Sequence, residues 1–282
     1  MVSAKLSFVI IEYNCLENIY VCVDSILSAC KKIPCEIVIS SNSVYSQEKQ
    51  ALLQEAMPHI KWVFNKNNKG FASGMNAGIV NTSGEIIVLL NPDLEIAHGS
   101  MQKAVDYLMA HQSVGLMGPR VVDQKGNIQD SCRKFMTLKE LFLRVYIRIF
   151  HGKDVLIAPE FDYTSIQTVD WVIGAFIMVK RNALEQVGLL DPNYFLYVED
   201  MDWCKRFWNH GFQVMYYPLL EVVYKADRKS ISVLISKKLF NKHTFYHLKS
   251  YLRFLLKNKF KVAQKSQNSI NKMESDTNYV KA

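Results

Sequence analysis

Three short polar runs interrupt an otherwise apolar, regularly alternating chain, and each holds residues that could do chemistry. Asn91-Pro92-Asp93 closes the apolar run EIIVLLN that begins at Glu85. A carboxylate at a strand end can bridge a hard divalent cation to a diphosphate. Pro92 stops the strand and fixes the turn that presents Asp93. Asn, Pro and Asp are also common turn formers, so an ordinary strand-ending turn accounts equally for these three residues.

The second run is Asn67–Gly78, in which Gly70, Gly74 and Gly78 recur every four residues. At helical spacing they leave one bare face, open to close approach by a ligand or by another backbone. Asn68 and Asn76 offer amide groups toward a nucleotide or sugar. The run lacks the GxGxxG of dinucleotide-binding folds, and tight packing of a glycine-faced helix on a sheet explains it as well. The third run, Tyr197–Arg206, places Glu199, Asp200 and Asp202 within four residues at the start of a helical pattern. Three carboxylates so close repel one another unless a cation or substrate hydroxyls lie between them. Asp202 and Arg206 can pair one turn apart, which leaves Glu199 and Asp200 for chemistry. A capped, solvated helix start is the plainer alternative.

The elements that must position these residues alternate in type. Strands are predicted over Leu6–Tyr13, Glu36–Ser40, Ile60–Asn65 and Glu85–Asn91. Helical patterns lie between them: Ile19 to Cys30, Gln47–Ala56, and a short helix ending near Val80. Near-continuous apolar strands alternating with helices predict a parallel, doubly wound sheet covered on both faces. Ligands of such sheets bind outside the carboxyl ends of the strands, where the polar runs stand. Further on come a helix at His98–His111, short strands near Val114–Met117, an amphipathic helix at Leu138–Phe150 and a β-rich run at Val169–Val179.

A chain of 282 residues suits one large α/β domain, and 49% hydrophobic against 21% charged residues excludes wholesale disorder. The six cysteines (Cys15, Cys22, Cys30, Cys35, Cys132, Cys204) form no CxxC pair. They read as reduced core residues and not as a zinc site. No signal peptide and no window of 18 apolar residues is found, so a soluble or peripheral protein is expected. The net charge of +8 points to an anionic partner. Residues 225–265 hold twelve Lys and Arg against the single acid Asp227.

Together and in this order these residues resemble the family-2 glycosyltransferases of the GT-A fold, over residues 5–225. The parts that carry the resemblance are Tyr13-Asn14 at the end of the first strand, Asn68–Ile79, LLNPDLEI at 89–96 and DWVIGAFIMVKR at 170–181. GLLDPNYFLYVEDMDWCKR at 188–206 and GFQVMYYP at 211–218 complete it. The NPD form, Asp170-Trp171 before the Gly-Ala pair and the segment FYHLKSY at 245–251 look like rhamnosyltransferases of O-antigen and related bacterial surface polysaccharides.

The resemblance implies a GT-A, Rossmann-like, mostly parallel sheet flanked by helices, with a nucleotide-binding half (1–97) and an acceptor half (98–225). A basic helical extension (226–265) and a disordered tail (266–282) would follow. It implies inverting transfer of a sugar, rhamnose first, from a dTDP- or UDP-sugar to a glycan or a polyprenyl-diphosphate-linked glycan. By the same resemblance Asp93 holds Mg²⁺ or Mn²⁺ on the donor diphosphate, and Asp200 is the base. Glu199, Trp171 and Gly174 serve the acceptor. Tyr13, Asn14, Asn42, Asn68, Gly70, Phe71, Asn76 and Asn91 line the nucleotide-sugar site.

Three departures from the family pattern stand out: Glu12 where a small polar residue is usual, Ser40-Ser41-Asn42-Ser43 where an acid commonly follows the second strand, and Tyr224 where many members carry a metal-binding His. Asp227 or water would then complete the metal shell. A nucleotidyltransferase shares the sheet and the metal carboxylate. It would carry a Gly-rich basic loop where this chain has Glu12-Tyr13-Asn14-Cys15. A non-catalytic, membrane-associated nucleotide-sugar-binding protein is the other alternative.

In the helix at Leu138–Phe150, Leu138, Leu141, Phe142, Val145, Tyr146 and Ile149 share a face. In the C-terminal segment Lys242, Lys249, Arg253 and Lys257 form a stripe beside Leu248, Leu252 and Leu255. Basic amphipathic helices can lie in an anionic membrane interface, which predicts a peripheral protein on the cytoplasmic face of the cell membrane. Core coverage by the first helix and plain solvation of the second are the alternatives. No nucleic-acid reader fold accompanies the basic segment, so nucleic acid is not an expected partner.

Overall fold

The computed structural model describes residues 5–135, 161–225 and 242–258. The first half alternates strands with helices: β1 (Leu6–Glu12), α1 (Leu16–Ala29), β2 (Cys35–Ser41), α2 (Gln47–Ala56), β3 (Lys61–Phe64), α3 (Phe71–Ile79) and β4 (Ile86–Leu90). All seven residues of β1 are buried, as a strand covered on both faces requires. The α2 helix begins where the Ser46 hydroxyl accepts a hydrogen bond from the Lys49 backbone N–H, satisfying one of the helix's free donors.

The second half runs β5 (Leu94–Ile96), α4 (Met101–Ala110), β6 (Val114–Asp123), β7 (Ile128–Gln129), β8 (Cys132–Arg133), β9 (Gln167–Thr168), β10 (Trp171–Val172), β11 (Phe176–Lys180), α5 (Arg181–Val187), α6 (Glu199–Asn209) and β12 (Gln213–Tyr224). The basic helix α7 (Lys242–Lys257) follows. The central sheet has ten strands, its main path ordered β3-β2-β1-β4-β11-β6-β12-β5. β1, β2, β3 and β4 pair in parallel, and so do β6 and β12. β11 enters antiparallel between β4 and β6. The mostly parallel core expected from the sequence is present, with β11 reversed inside it and the short strands β5, β7 and β9 added antiparallel.

Alternate residues of each strand feed two cores. Phe8, Ile10, Val88 and Leu90 pack with Ile26 of α1 and Leu108 of α4. Val9, Leu89 and Ile177 pack on the other face with Met75 of α3 and Trp203 and Phe207 of α6. A third, smaller cluster joins Tyr251, Phe254 and Leu255 of α7 to Tyr194, Val198 and Met201.

Three expectations differ in detail. The strand near Val114–Met117 extends to ten residues, because β12 pairs along its length. The run Val169–Val179 is two strands in two sheets: β10 pairs with β8, and β11 joins the main sheet, so Gly174 falls in the turn between them. Of the stripe beside the C-terminal cations, Leu255 is buried and Leu256 is exposed in its place. The expected helix at Leu138–Phe150, the expected tail at 266–282 and Asp227 lie outside the described residues.

Candidate active site

The turn before β11 ties two carboxylates to one edge of the sheet. The Asn91 backbone N–H at the end of β4 donates to the Ala175 carbonyl at 2.9 Å. The N–H of the preceding residue, Gly174, donates to Asp200 Oδ2 at 2.7 Å. Asp200 Oδ1 accepts from the Met201 N–H at 2.8 Å. A methyl group at position 174 would stand in ordinary contact with the Asp200 carboxyl oxygen (3.4 Å) and the Phe71 ring (3.5 Å), which places all three residues together. Asp93, two residues beyond Asn91, thus shares one end of the sheet with Asp200.

Glu199 and Asp200 open α6 in a buried setting. Glu199 is 5% exposed, and its Oε2 has no hydrogen-bond partner among the described residues. Burial first, and then the neighbouring Asp200 charge, push the Glu199 carboxyl well above the usual carboxylate range. Burial raises Asp200 as well, but the Gly174 and Met201 N–H groups and the positive charge of Arg133 favour its ionised form. Of the pair, Asp200 is the one better placed to stay charged. The two residues before them, Tyr197 and Val198, have φ of 69° and 71°. Non-glycine residues in that region carry strain of about 1–3 kcal/mol each, held here by surrounding packing.

At the other carboxylate, Asn91 Oδ1 is buried without a hydrogen-bond partner among the described residues, and Asp93 is half-buried beside it. The Lys225 N–H donates to the Asp93 carbonyl at 2.9 Å, which brings Tyr224, at the end of β12, alongside this turn. Among the described residues no group of three or more His, Cys, Asp or Glu could hold a cation alone. Mg²⁺ and Mn²⁺ are usually held by one or two carboxylates together with substrate phosphates and water. Asp93, with the Asn91 amide oxygen that has no hydrogen-bond partner among the described residues two positions before it, fits that donor set.

The residues expected on the nucleotide side divide into open and committed groups. Tyr13 is 54% exposed, and Asn14 turns the chain with φ of 53° while its N–H donates to the Ser43 hydroxyl at 2.8 Å. Asn68 Oδ1 accepts from the Gly70 N–H at 2.9 Å. Gly70 has φ of 95°, and a Cβ there would meet the Phe195 carbonyl oxygen at 2.2 Å, so only glycine fits. Phe71 follows, its N–H donating to that same carbonyl at 2.8 Å. The other two amides are engaged. Asn42, 3% exposed, donates to the Gly70 carbonyl at 3.1 Å and accepts from Asn65. Asn76 grips Leu190 through its N–H and its carbonyl at once. In this arrangement both amides brace the surrounding loops.

Two features escaped the sequence reading. Glu12 is fully buried at the end of β1. Its carboxylate accepts from Ser41 Oγ (2.5 Å), Ser43 Oγ and Tyr45 OH (3.0 Å each) and the Cys15 N–H (3.2 Å). The two departures, Glu12 and the Ser41–Ser43 run, are thus one hydrogen-bonded cluster at the ends of β1 and β2. The last parallel pair, Glu12 opposite Ser41, is the signal that could have revealed it. The other feature is Arg133, paired across β8 and β10 with Trp171 and stacked over its ring at 5.3 Å.

The glycosyl transferase family 2 model matches residues 7–188. The chain belongs to that family. Among similar proteins, N-acetylglucosaminyl-diphospho-decaprenol L-rhamnosyltransferase of Mycobacterium tuberculosis is 25% identical over 213 residues, 70% of this chain and 69% of that protein. Rhamnosyltransferase WbbL of Escherichia coli is 27% identical, over 61% of each chain. The dTDP-rhamnosyl transferase RfbF of Shigella flexneri is 25% identical over 80% of this chain and 70% of its own.

The fold recurs in the structure of GalNAc-T7 with UDP, GalNAc and Mn²⁺, at a TM-score of 0.61 and 14% identity, over 89% of this chain and 47% of that one. It recurs also in a mannosyltransferase of Pyrobaculum calidifontis with GDP-Man and Mn²⁺, at a TM-score of 0.55 and 15% identity, over 97% and 80%. The GT-A fold and the glycosyltransferase assignment follow for this family-2 chain. No described helix is long and apolar enough to cross a membrane.

Proposed function

We propose that this glycosyltransferase moves a sugar, rhamnose first, from a dTDP- or UDP-linked donor to a glycan hydroxyl with inversion. The acceptor proposed is a polyprenyl-diphosphate-linked glycan at the cytoplasmic face of an anionic membrane, in the synthesis of a surface polysaccharide such as an O-antigen. Similarity to the rhamnosyltransferases supports the sugar and the lipid-linked acceptor. The observation that carries the chemistry is the hydrogen-bonded link from Asn91 through Ala175 and Gly174 to Asp200, which sets a diphosphate-side carboxylate and a buried carboxylate on one sheet end.

In this reading Asp93 and the Asn91 side-chain oxygen would hold a divalent cation for the donor diphosphate. When bound, that cation would neutralise charge on the departing nucleotide diphosphate. The Asn68–Phe71 loop and the exposed Tyr13–Asn14 turn bracket the nucleotide sugar. Asp200, whose charge two backbone N–H groups favour against the burial that raises it, takes the proton of the acceptor hydroxyl as it attacks the anomeric carbon. Glu199, protonated in its buried site, offers a hydroxyl to orient the acceptor, and Trp171 gives a sugar ring an apolar face. A diphosphate leaves without protonation, so no second acid is required.

The test is turnover of dTDP-rhamnose and UDP-sugars with Mn²⁺ and a polyprenyl-diphosphate-linked glycan, read as radiolabelled sugar in the lipid phase and as released nucleotide. Sugar transfer with inverted anomeric configuration is expected. Pyrophosphate release in place of nucleoside diphosphate, or donor binding without transfer or hydrolysis, would overturn the reading.

A further inference from the structure

Helix α7 carries two unlike apolar faces. One face, with Tyr251, Phe254 and Leu255 at 5%, 1% and 3% exposure, packs on Tyr194, Val198 and Met201. The other presents Phe245, Leu248, Leu252 and Leu256, which are between 51% and 69% exposed. At 100° per residue these four fall within one-quarter of the helix circumference. Lys249, Arg253 and Lys257 form the adjoining row. All of these but Leu248 line an open groove of about 680 Å³ that reaches Asp191. Isolated exposed leucines are unremarkable, but a continuous apolar stripe edged on one side by cations is not.

We infer that this outer face of α7 is the surface by which the protein docks on an anionic bilayer, with the four apolar side chains in the interface and Lys249 and Arg253 on lipid phosphates. Charge complementarity selects the bilayer. The described helix contains no Asp or Glu, and a second copy of the same face would set like charges against each other. Lys257 is otherwise engaged: its ammonium donates to Asp191 and Asp202 at 2.9 Å each, clamping α7 to α6.

The position of the helix adds a functional consequence. Its inner face covers the strained segment that leads into Glu199 and Asp200. The Ser250 hydroxyl donates to the Leu196 carbonyl at 3.0 Å, and Tyr246 stacks on Phe195 at 4.8 Å. Phe195 is the residue whose carbonyl receives the Phe71 N–H beside Gly70. A bilayer on the outer face of α7 is therefore one helix thickness from the loop that opens the carboxylate pair. The inference deepens the proposed function by naming the surface through which a lipid-linked acceptor arrives, and it rests on that reading only for the acceptor.

The full-length chain is co-sedimented with phosphatidylglycerol–phosphatidylcholine vesicles and with pure phosphatidylcholine vesicles, at low and high salt. Binding to the anionic vesicles that weakens with salt is expected. The double substitution Lys249→Gln/Arg253→Gln is expected to lower vesicle affinity about 25-fold, at about fivefold for each cation. Leu248→Ser/Leu252→Ser is expected to lower it further, since it removes apolar area from the interface. Both pairs are exposed, so melting temperature and transfer to a short water-soluble acceptor should stay at wild-type values. Vesicle binding that survives both double substitutions overturns the inference. So does a wild-type chain that ignores vesicles, or one that Leu248→Ser/Leu252→Ser converts from dimer to monomer in light scattering without touching lipid binding. Lipid binding that behaves as expected in a protein inactive with every nucleotide sugar would instead overturn the proposed function and leave the docking surface standing.

Discussion

Replacing Asp200 by Asn separates the proposed role as base from the structural role of the carboxylate. The two carboxylate oxygens each accept one backbone N–H, from Gly174 at 2.7 Å and from Met201 at 2.8 Å. Asn keeps one acceptor oxygen and turns an amide N–H toward the other donor. One buried backbone donor then loses its partner, at a cost of about 1–3 kcal/mol. A chain of this size should lose roughly 2–4 °C in melting temperature for each kcal/mol. The chemical loss is larger: removing a positioned general base typically costs about 10²–10⁴-fold in rate, or roughly 3–5 kcal/mol of transition-state stabilisation. Donor affinity should hold, because the base faces the acceptor and not the nucleotide. The assay is kcat at saturating donor and acceptor, taken well below the melting point, with donor Kd measured separately. Glu199→Gln is the matched control. It retains a hydrogen-bond donor where the protonated acid stood, and should lose far less of kcat. Near-wild-type turnover in Asp200→Asn, together with collapse in Glu199→Gln, would show that the two carboxylates have been given each other's roles.

Two further substitutions have expected outcomes. Asp93→Ala should abolish metal-dependent donor binding while leaving the melting temperature nearly unchanged, since the residue is half-buried at a strand end; calorimetric titration of donor with Mn²⁺ checks this, and unchanged metal-dependent affinity would place the cation elsewhere. Gly70→Ala should destabilise the fold by about 2 kcal/mol or more, because a methyl at φ of 95° is strained and would meet the Phe195 carbonyl at 2.2 Å; chemical denaturation reads the loss, and a stability within error of wild type would refute the close approach.

Because Asp200 must be ionised to act and burial raises it, the acid limb of kcat should lie above the ordinary carboxylate pKa of about 4. The stability effect has the opposite sense. Carboxyls raised in the folded state bind more protons there than in the unfolded chain, so stability should fall as pH rises from that ordinary range through the raised values. Denaturation midpoints measured across this window, with Glu199→Gln expected to flatten the decline, test it.

The parts legible in the sequence are those set by local pattern. β1 and β4 are largely apolar runs buried on both faces, so composition alone marks them as interior strands of a doubly wound sheet. What stayed hidden depends on pairing between distant residues. Nothing within Phe176–Lys180 tells whether it runs with or against β4, and the reversal matters, because it puts the Ala175 carbonyl where the Asn91 N–H can reach it.

The same holds for the charged residues. Glu12 read as a departure because its partners, Ser41, Ser43 and Tyr45, lie 29 to 33 positions away and meet it only once β1 and β2 are in register. Asn42 and Asn76 read as ligand amides because their types suit that task; the backbone groups that engage them come from Gly70 and Leu190. A residue type says what a side chain can do, and only the register of its neighbours decides whether that capacity is already used. By that criterion Asp200 and Glu199 differ. Backbone N–H groups favour the charge of one, while the other keeps a buried oxygen with no hydrogen-bond partner among the described residues, beside a neighbouring carboxylate. Burial raises both carboxyls, but only Asp200 has backbone N–H groups that favour its charge, so the two neighbours are unequal before any substrate arrives.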